Sequence, residues 1–289
     1  MNTIELGGLH GNNPMAFLAA LGVCEALRNY NAKISWTEDS EPTAVLHSTV
    51  AKDELIPLLL EDRDRVLEWP LFEYSDIRFT EEEKLDFLFT CISEEHGIRS
   101  SFITDITVDG KGLSKPTDLY FTSGSQKFLT IVNGVGQSLS KDLMDESLFG
   151  PWRYSATGYQ TLMWDPRDDR YYALTATNPS DTKKSTIPGA DWLAFRGLAL
   201  LPVFGSNKRV LTPGGSGTAG NASWAWPMWK GPLGAKSITA LMQFMPRKQR
   251  LDSVDWVPPK GVFFVYQSQI LRVGQGYGRM CPPKLVWSE

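Results

Sequence analysis

The twenty residues GLHGNNPMAFLAALGVCEAL, positions 7–26, constrain the fold more than any other stretch of the chain. Asn13 has a side chain suited to capping a helix N-terminus, and Pro14 follows at the first helical position, where its missing N–H costs nothing. Phe17, Leu18, Leu21, Cys24 and Leu27 recur at helical spacing and form one apolar stripe. Ala16, Ala19, Ala20 and Gly22 keep the rest of the helix thin, which permits close packing against a sheet. The stretch predicts a core helix over Pro14–Arg28, buried on one side and stopped by Asn29 or Asn31. A secretory signal is not expected, because Glu5 precedes the run and no Lys or Arg does. Glu25 and Arg28 break the run too early for a bilayer span, and no later segment is long enough. The expectation is a soluble, cytoplasmic chain with no membrane contact.

The elements around this helix predict an α+β fold with mixed or antiparallel sheets and packed helices. Residues 3–9, 32–36 and 43–48 read as strands, the last two as a hairpin. Residues 51–69 read as a helix with Asp53 as cap and Pro57 in the first turn. Thr80 and Glu83 form a capping-box pattern ahead of a helix whose Leu85, Leu88, Phe89 and Ile92 are expected to face inward. A strand and turn are expected over 101–112. A strand from Asp118 and a helix through Phe128, Val132, Val135 and Leu139 follow, capped by Ser123 or Ser125. Residues 159–176 read as a hairpin about an Asp-Pro-Arg-Asp-Asp turn, and 191–204 as a short buried helix. A glycine-rich loop is expected over 205–223, then a tryptophan-rich strand, the helix AKSITALMQF and a final strand pair.

Charge divides the chain. Residues 1–150 hold 12 Lys and Arg against 25 Asp and Glu, a balance of −13, whereas residues 151–289 stand at +9. This separates an acidic, helix-rich half (1–150) from a basic, β-rich half (151–289), two units that can equally form one integrated domain. The basic half suits a polyanion, whereas charges that neutralise each other within the fold explain the same split without a partner. Most of the acidic excess falls on the helices of 51–92, where a solvated face is the simplest reading.

The chemistry-bearing residues offer little to an enzyme. Cys24, Cys91 and Cys281 are odd in number and far apart, a poor disulfide framework. His10, His47 and His96 show no metal-ligand spacing, and no metal or other cofactor is expected. TPGGSGTAGNAS lacks the Gly-Lys-Ser/Thr of a phosphate loop, and GQGYGR does not open a helix after a strand. Asp165, Asp168 and Asp169 could hold a divalent ion, but Pro166, Arg167 and Arg170 make a polar turn the better reading. No nucleophile stands in a recognisable pairing with a base, so no catalytic residue is assigned.

The basic residues of the second half carry more. Lys183, Lys184, Lys208, Arg209, Arg247, Lys248, Arg250, Arg272 and Arg279 fall in small groups in segments that read as loops or element ends. Such groups can follow a phosphate chain. They are the candidate nucleic-acid-binding residues. Trp224, Trp226, Trp229 and Tyr277 are interleaved with them and could stack on bases, or the tryptophans could belong to a core or subunit interface.

LGGLHGNNPMAFLAALGVCEALR, DLYFTSGSQKFL, LFGPWRY, LMWDPRDDRYYAL and DWLAFRGLALLPVF, taken in order, resemble a family of CRISPR-associated proteins from type I systems of the I-G (formerly I-U) kind. The resemblance extends to about residue 204, and its most specific parts are the NP-x-x-FLAALG helix and the WDP-x-x-DR-x-YAL segment. Such proteins are similar to large-subunit-type components of RNA-guided surveillance complexes in antiviral defence. The resemblance implies a non-catalytic nucleic-acid-binding subunit, partnered by other subunits of the complex and by guide RNA, target DNA or both. The alternative is a protein–protein adaptor whose acidic helices dock a sister subunit or a helicase-nuclease. A hydrolase built on Asp165–Asp169 is a third reading.

Overall fold

Two antiparallel sheets share one helical layer and one core. The computed structural model of the chain describes residues 1–122, 125–167, 185–206, 209–217, 220–245, 257–273 and 277–289. The helices are α1 (Pro14–Ala26), α2 (Lys52–Leu67), α3 (Glu81–Phe89), α4 (His96–Arg99), α5 (Phe128–Gln137), α6 (Lys141–Phe149), α7 (Pro188–Gly197) and α8 (Ala235–Phe244). The first sheet has the order β1 (Asn2–His10), β3 (Thr43–Ser48), β2 (Lys33–Trp36) and β10 (Leu233–Gly234). The second runs β12 (Tyr277–Met280), β11 (Val262–Val273), β9 (Ala222–Trp229) and β8 (Gly215–Ser216), with β13 (Lys284–Ser288) also paired to β11. Two short hairpin-like pairs complete it, β4 (Ala156–Thr157) with β5 (Ser185–Thr186), and β6 (Phe204–Ser206) with β7 (Arg209–Leu211). This is an α+β fold.

Asn13 caps α1 as its sequence predicts, its Oδ1 accepting from the N–H groups of Met15 and Ala16. The helix is enclosed further than its stripe suggests, for every residue from Pro14 to Cys24 is buried. Small residues make this possible. A Cβ at Gly22 would overlap the Leu193 carbonyl, and one at Gly197 would overlap the Leu18 carbonyl, so α1 and α7 cross at backbone contact. On the other side Phe17 packs on Trp36 of β2 and on Trp224, Trp226 and Trp229 of β9.

The acidic and basic halves are interlocked. Strand β10 from the second half adds to β2 from the first, pairing Leu233 with Ile34 and Gly234 with Lys33. The indole N–H of Trp226 donates to the Gly11 carbonyl at 2.7 Å, and that of Trp229 to the Ile34 carbonyl at 2.7 Å. Arg196 of α7 is buried against Asp62 of α2, Nε to Oδ2 at 2.9 Å, joining the halves by a desolvated ion pair.

Several expectations are corrected. Helix α3 keeps its Thr80–Glu83 capping box and packs Leu88 on the core as expected, but its fully buried residues are Lys84 and Phe87, while Leu85, Phe89 and Ile92 stand exposed. Phe87 fits a box made by Tyr74, Phe79 and the Arg99 guanidinium, and that fit decides which face turns in. In α2 the cap is Ala51, whose N–H donates to Glu54, and Pro57 lies a turn deeper than expected on an exposed face. Residues 101–112 form turns with a single bridge from Val108 to Ser114, because the Asp109 carboxylate takes the N–H groups of Lys111 and Leu113. Segment 118–122 is not a strand, and α5 starts with the Phe128 N–H donating to Asp76 in place of a serine cap. Residues 159–166 form loop and turn where a strand arm was expected, and that hairpin beyond Arg167 lies outside the described residues. Part of the glycine-rich stretch 205–223 is ordered as β6, β7 and β8. Helix α6, capped by Ser140, was not foreseen.

Candidate nucleic-acid interface

Of the nine basic residues singled out by sequence, three are described, and they do not converge. Lys183, Lys184, Lys208, Arg247, Lys248 and Arg250 lie outside the described residues. Arg272 and Arg279 stand on adjacent strands, with Arg272 opposite Gly278 and Arg279 opposite Leu271. Paired residues share a face and neighbours along a strand alternate, so the two arginines leave the sheet on opposite sides.

Arg272 acts as an internal strut. Its Nη1 donates to the Tyr120 carbonyl at 3.2 Å and its Nη2 to the Asp118 carbonyl at 3.1 Å, with the guanidinium over the Phe121 ring. Gly278 opposite leaves the space that Phe121 fills. Burial lowers the Arg272 pKa from its usual value, against the opposing field of Asp118, and burial raises the Asp118 carboxyl. A guanidinium remains charged throughout, so this one spends its charge on two loop carbonyls.

Arg209 has the opposite setting. It opens β7, where register pairs Phe204 with Leu211, Gly205 with Val210 and Ser206 with Arg209. Alternation places Phe204, Ser206, Arg209 and Leu211 on one face. The other face packs inward: Val210 is buried, and Gly205 lies so close to Ile106 that a Cβ would overlap it. The pair is tied down at both ends. The Val203 N–H donates to the Ser100 carbonyl at 2.9 Å, and Thr212 Oγ1 accepts from the Asp118 N–H at 2.8 Å. Asp118 belongs to the segment that Arg272 clamps, so the strut supports the strand pair from beneath. On its outer face Arg209 is exposed and Phe204 is 50% exposed. An exposed ring and a guanidinium on the same face of a strand pair can stack on a base and neutralise a phosphate at once.

Phe204 was missed because it ends the apolar run DWLAFRGLALLPVF and reads as its last buried residue. The alternation Phe204, Ser206 and then Arg209, Leu211 was the available signal. The tryptophans do not stack on bases. Trp224, Trp226 and Trp229 are fully enclosed, each with its indole N–H on a backbone carbonyl.

The remaining chemical candidates are structural. The Asp165 carboxylate is buried and accepts from Asn13 Nδ2, the Tyr154 hydroxyl and the Arg167 N–H, at 3.2, 2.8 and 3.0 Å. It ties the α1 N-terminus to the following loop, while Asp168 and Asp169 lie outside the described residues. Cys91 Sγ is 3.3 Å from His96 Nδ1, but burial raises the thiol pKa, the reverse of what an attacking thiolate needs. Among the described residues no cluster of three His, Cys, Asp or Glu could hold a metal, and no helix is long and apolar enough to cross a membrane. Comparison with known proteins finds no family model that matches the chain and no match among curated proteins.

Proposed function

We propose that the chain is a non-catalytic nucleic-acid-binding subunit of a type I CRISPR interference complex, contacting target DNA, guide RNA or both through the outer face of β6–β7. The reading is supported by the ordered sequence resemblance to I-G proteins and, above all, by Phe204 and Arg209, both exposed on one face of a braced strand pair. Lys208 adjoins Arg209 in sequence and lies outside the described residues. Arg209 would act through phosphate and Phe204 through stacking, so the two contributions separate experimentally.

The test is titration of single- and double-stranded DNA and of RNA at several salt concentrations, on the full chain and on Arg209→Ala and Phe204→Ala. Arg209→Ala is expected to weaken binding on all sequences and to flatten the log–log salt slope by about 0.7–0.9. Phe204→Ala is expected to cost about 1–3 kcal/mol on single strands with the slope unchanged. No cleavage is expected in magnesium or manganese. Affinity and slope that both variants leave untouched would remove this surface from the reading. An adaptor that docks a sister subunit or a helicase-nuclease is the second reading, favoured by the exposed apolar residues of α3.

A further inference from the structure

The outer face of α3 carries apolar and acidic residues in alternation along one stripe. With Lys84 and Phe87 turned inward, helical geometry directs Glu82, Leu85, Asp86 and Phe89 to solvent. Phe89 is 71% exposed and Leu85 43%, and just past the helix Ile92 is 42% exposed. Leu85 and Phe89 are one turn apart, the spacing of a helix ridge that packs into the groove of another helix.

The charge around this stripe is predominantly acidic. Glu81, Glu82, Glu83, Asp86 and Glu94 are all exposed. The one lysine of α3, Lys84, is buried with its ammonium on Glu81 at 3.0 Å. Arg65, which reaches toward Glu94, is engaged by Asp62, and Arg78 by Asp109. The carboxylate of Glu82, at the N-terminal end of the stripe, has no ionic or hydrogen-bonding partner among the described residues. Such a rim repels nucleic acid and the anionic surface of a membrane. It attracts a cationic partner whose own apolar residues can cover Phe89.

We infer that the α3 face docks a basic amphipathic helix of another protein, whose apolar ridge covers Leu85, Phe89 and Ile92 while its lysines or arginines meet Glu82, Asp86 and Glu94. Helix-on-helix capture of this kind uses one or two deep apolar anchors, and the charged rim sets orientation and encounter rate. The surface is independent of the β6–β7 strand pair, and a result at either leaves the other standing.

The experiment is fluorescence anisotropy of the full chain with a labelled synthetic helix of leucine, lysine and alanine in amphipathic order. A control peptide of equal charge has serine in place of leucine. The expected result is saturable binding of the first peptide that weakens with salt, falls about tenfold or more in Phe89→Ser or Leu85→Ser, and falls with a flatter salt dependence in Glu82→Lys. These positions are exposed, so thermal unfolding of the variants should match the parent and a lost signal cannot be put down to misfolding. Failure of the leucine peptide to bind overturns the inference. So does equal binding of the serine peptide, or affinity unchanged in Phe89→Ser and Leu85→Ser. A dimer of the protein alone that Phe89→Ser dissolves also overturns it, assigning the face to a second copy of this chain.

Discussion

Helices α1 and α3 each carry apolar residues at helical spacing, and the fold uses them in opposite ways. Helix α1 is buried from Pro14 to Cys24 and meets α7 at backbone contact through Gly22 and Gly197. Helix α3 buries Lys84 and Phe87 and leaves Leu85 and Phe89 in solvent. Periodicity tells which residues share a face; it does not tell what covers that face. For α1 the small residues between the large ones remove any bulk that would hold neighbours away. For α3 the aromatic box of Tyr74 and Phe79 and the guanidinium of Arg99 select Phe87. The Lys84 stem is then carried inside, with its ammonium reaching back to Glu81.

The comparison can be broken most severely at the α1–α7 crossing. Gly22→Ala puts a methyl where the Leu193 carbonyl sits, with backbone on both sides unable to yield. A loss of about 4 kcal/mol, or failure to fold, is expected in denaturant titration, at the upper end for a single substitution. Unchanged stability would mean that the helices are not in backbone contact.

The equivalent blow to α3 falls on the ion pair behind it. Arg99 donates to the Phe87 carbonyl at 2.8 Å, covers the Phe87 ring and pairs with Glu95 at 2.6 Å, both partners buried. Glu95 Oε1 in turn accepts the Leu71 N–H. Arg99→Ala leaves a buried carboxylate unpaired and should cost about 3 kcal/mol by the same titration. A double variant, Arg99→Ala with Glu95→Gln, should recover part of that loss.

The smallest contrast lies in the two caps. Thr80→Ala removes a solvent-exposed cap of α3 and should cost about 1 kcal/mol. Asn13→Ala removes the cap of α1 and also one donor to the buried Asp165, so a loss closer to about 2 kcal/mol is expected. Equal losses at the two sites would show that the link to Asp165 contributes nothing.

What could be read from the sequence was local. Asn13–Pro14 and Thr80-x-x-Glu83 mark helix starts through chemistry confined to a few neighbouring residues, and both starts are found where they are expected. The helix Ala235–Phe244 was equally plain, whereas the tryptophan strand, expected as a short one ending in Pro, runs on through Pro227 to Trp229. What could not be read depends on residues distant in sequence. Asp76 caps α5 from 52 positions away, Arg272 serves carbonyls more than 150 positions away, and neither spacing leaves a pattern. The candidate interface shows the same limit. Arg209 and Arg272 are alike in sequence, and only the position of the 118–121 segment separates a free guanidinium face from a strut.

The α1–α7 crossing also bears on how the chain is made. Helix α1 ends at Ala26, and its partner α7 begins only at Pro188. Residues leave the ribosome N-terminus first, at about 5–20 per second, so on the order of ten seconds or more pass before that partner exists. The strands β1 to β3 can cover one side of this helix early, but for that interval the face that meets α7 has no cover of its own. The nascent chain is therefore a strong substrate for chaperones that hold apolar segments, and its yield should depend on them far more than its finished stability would suggest.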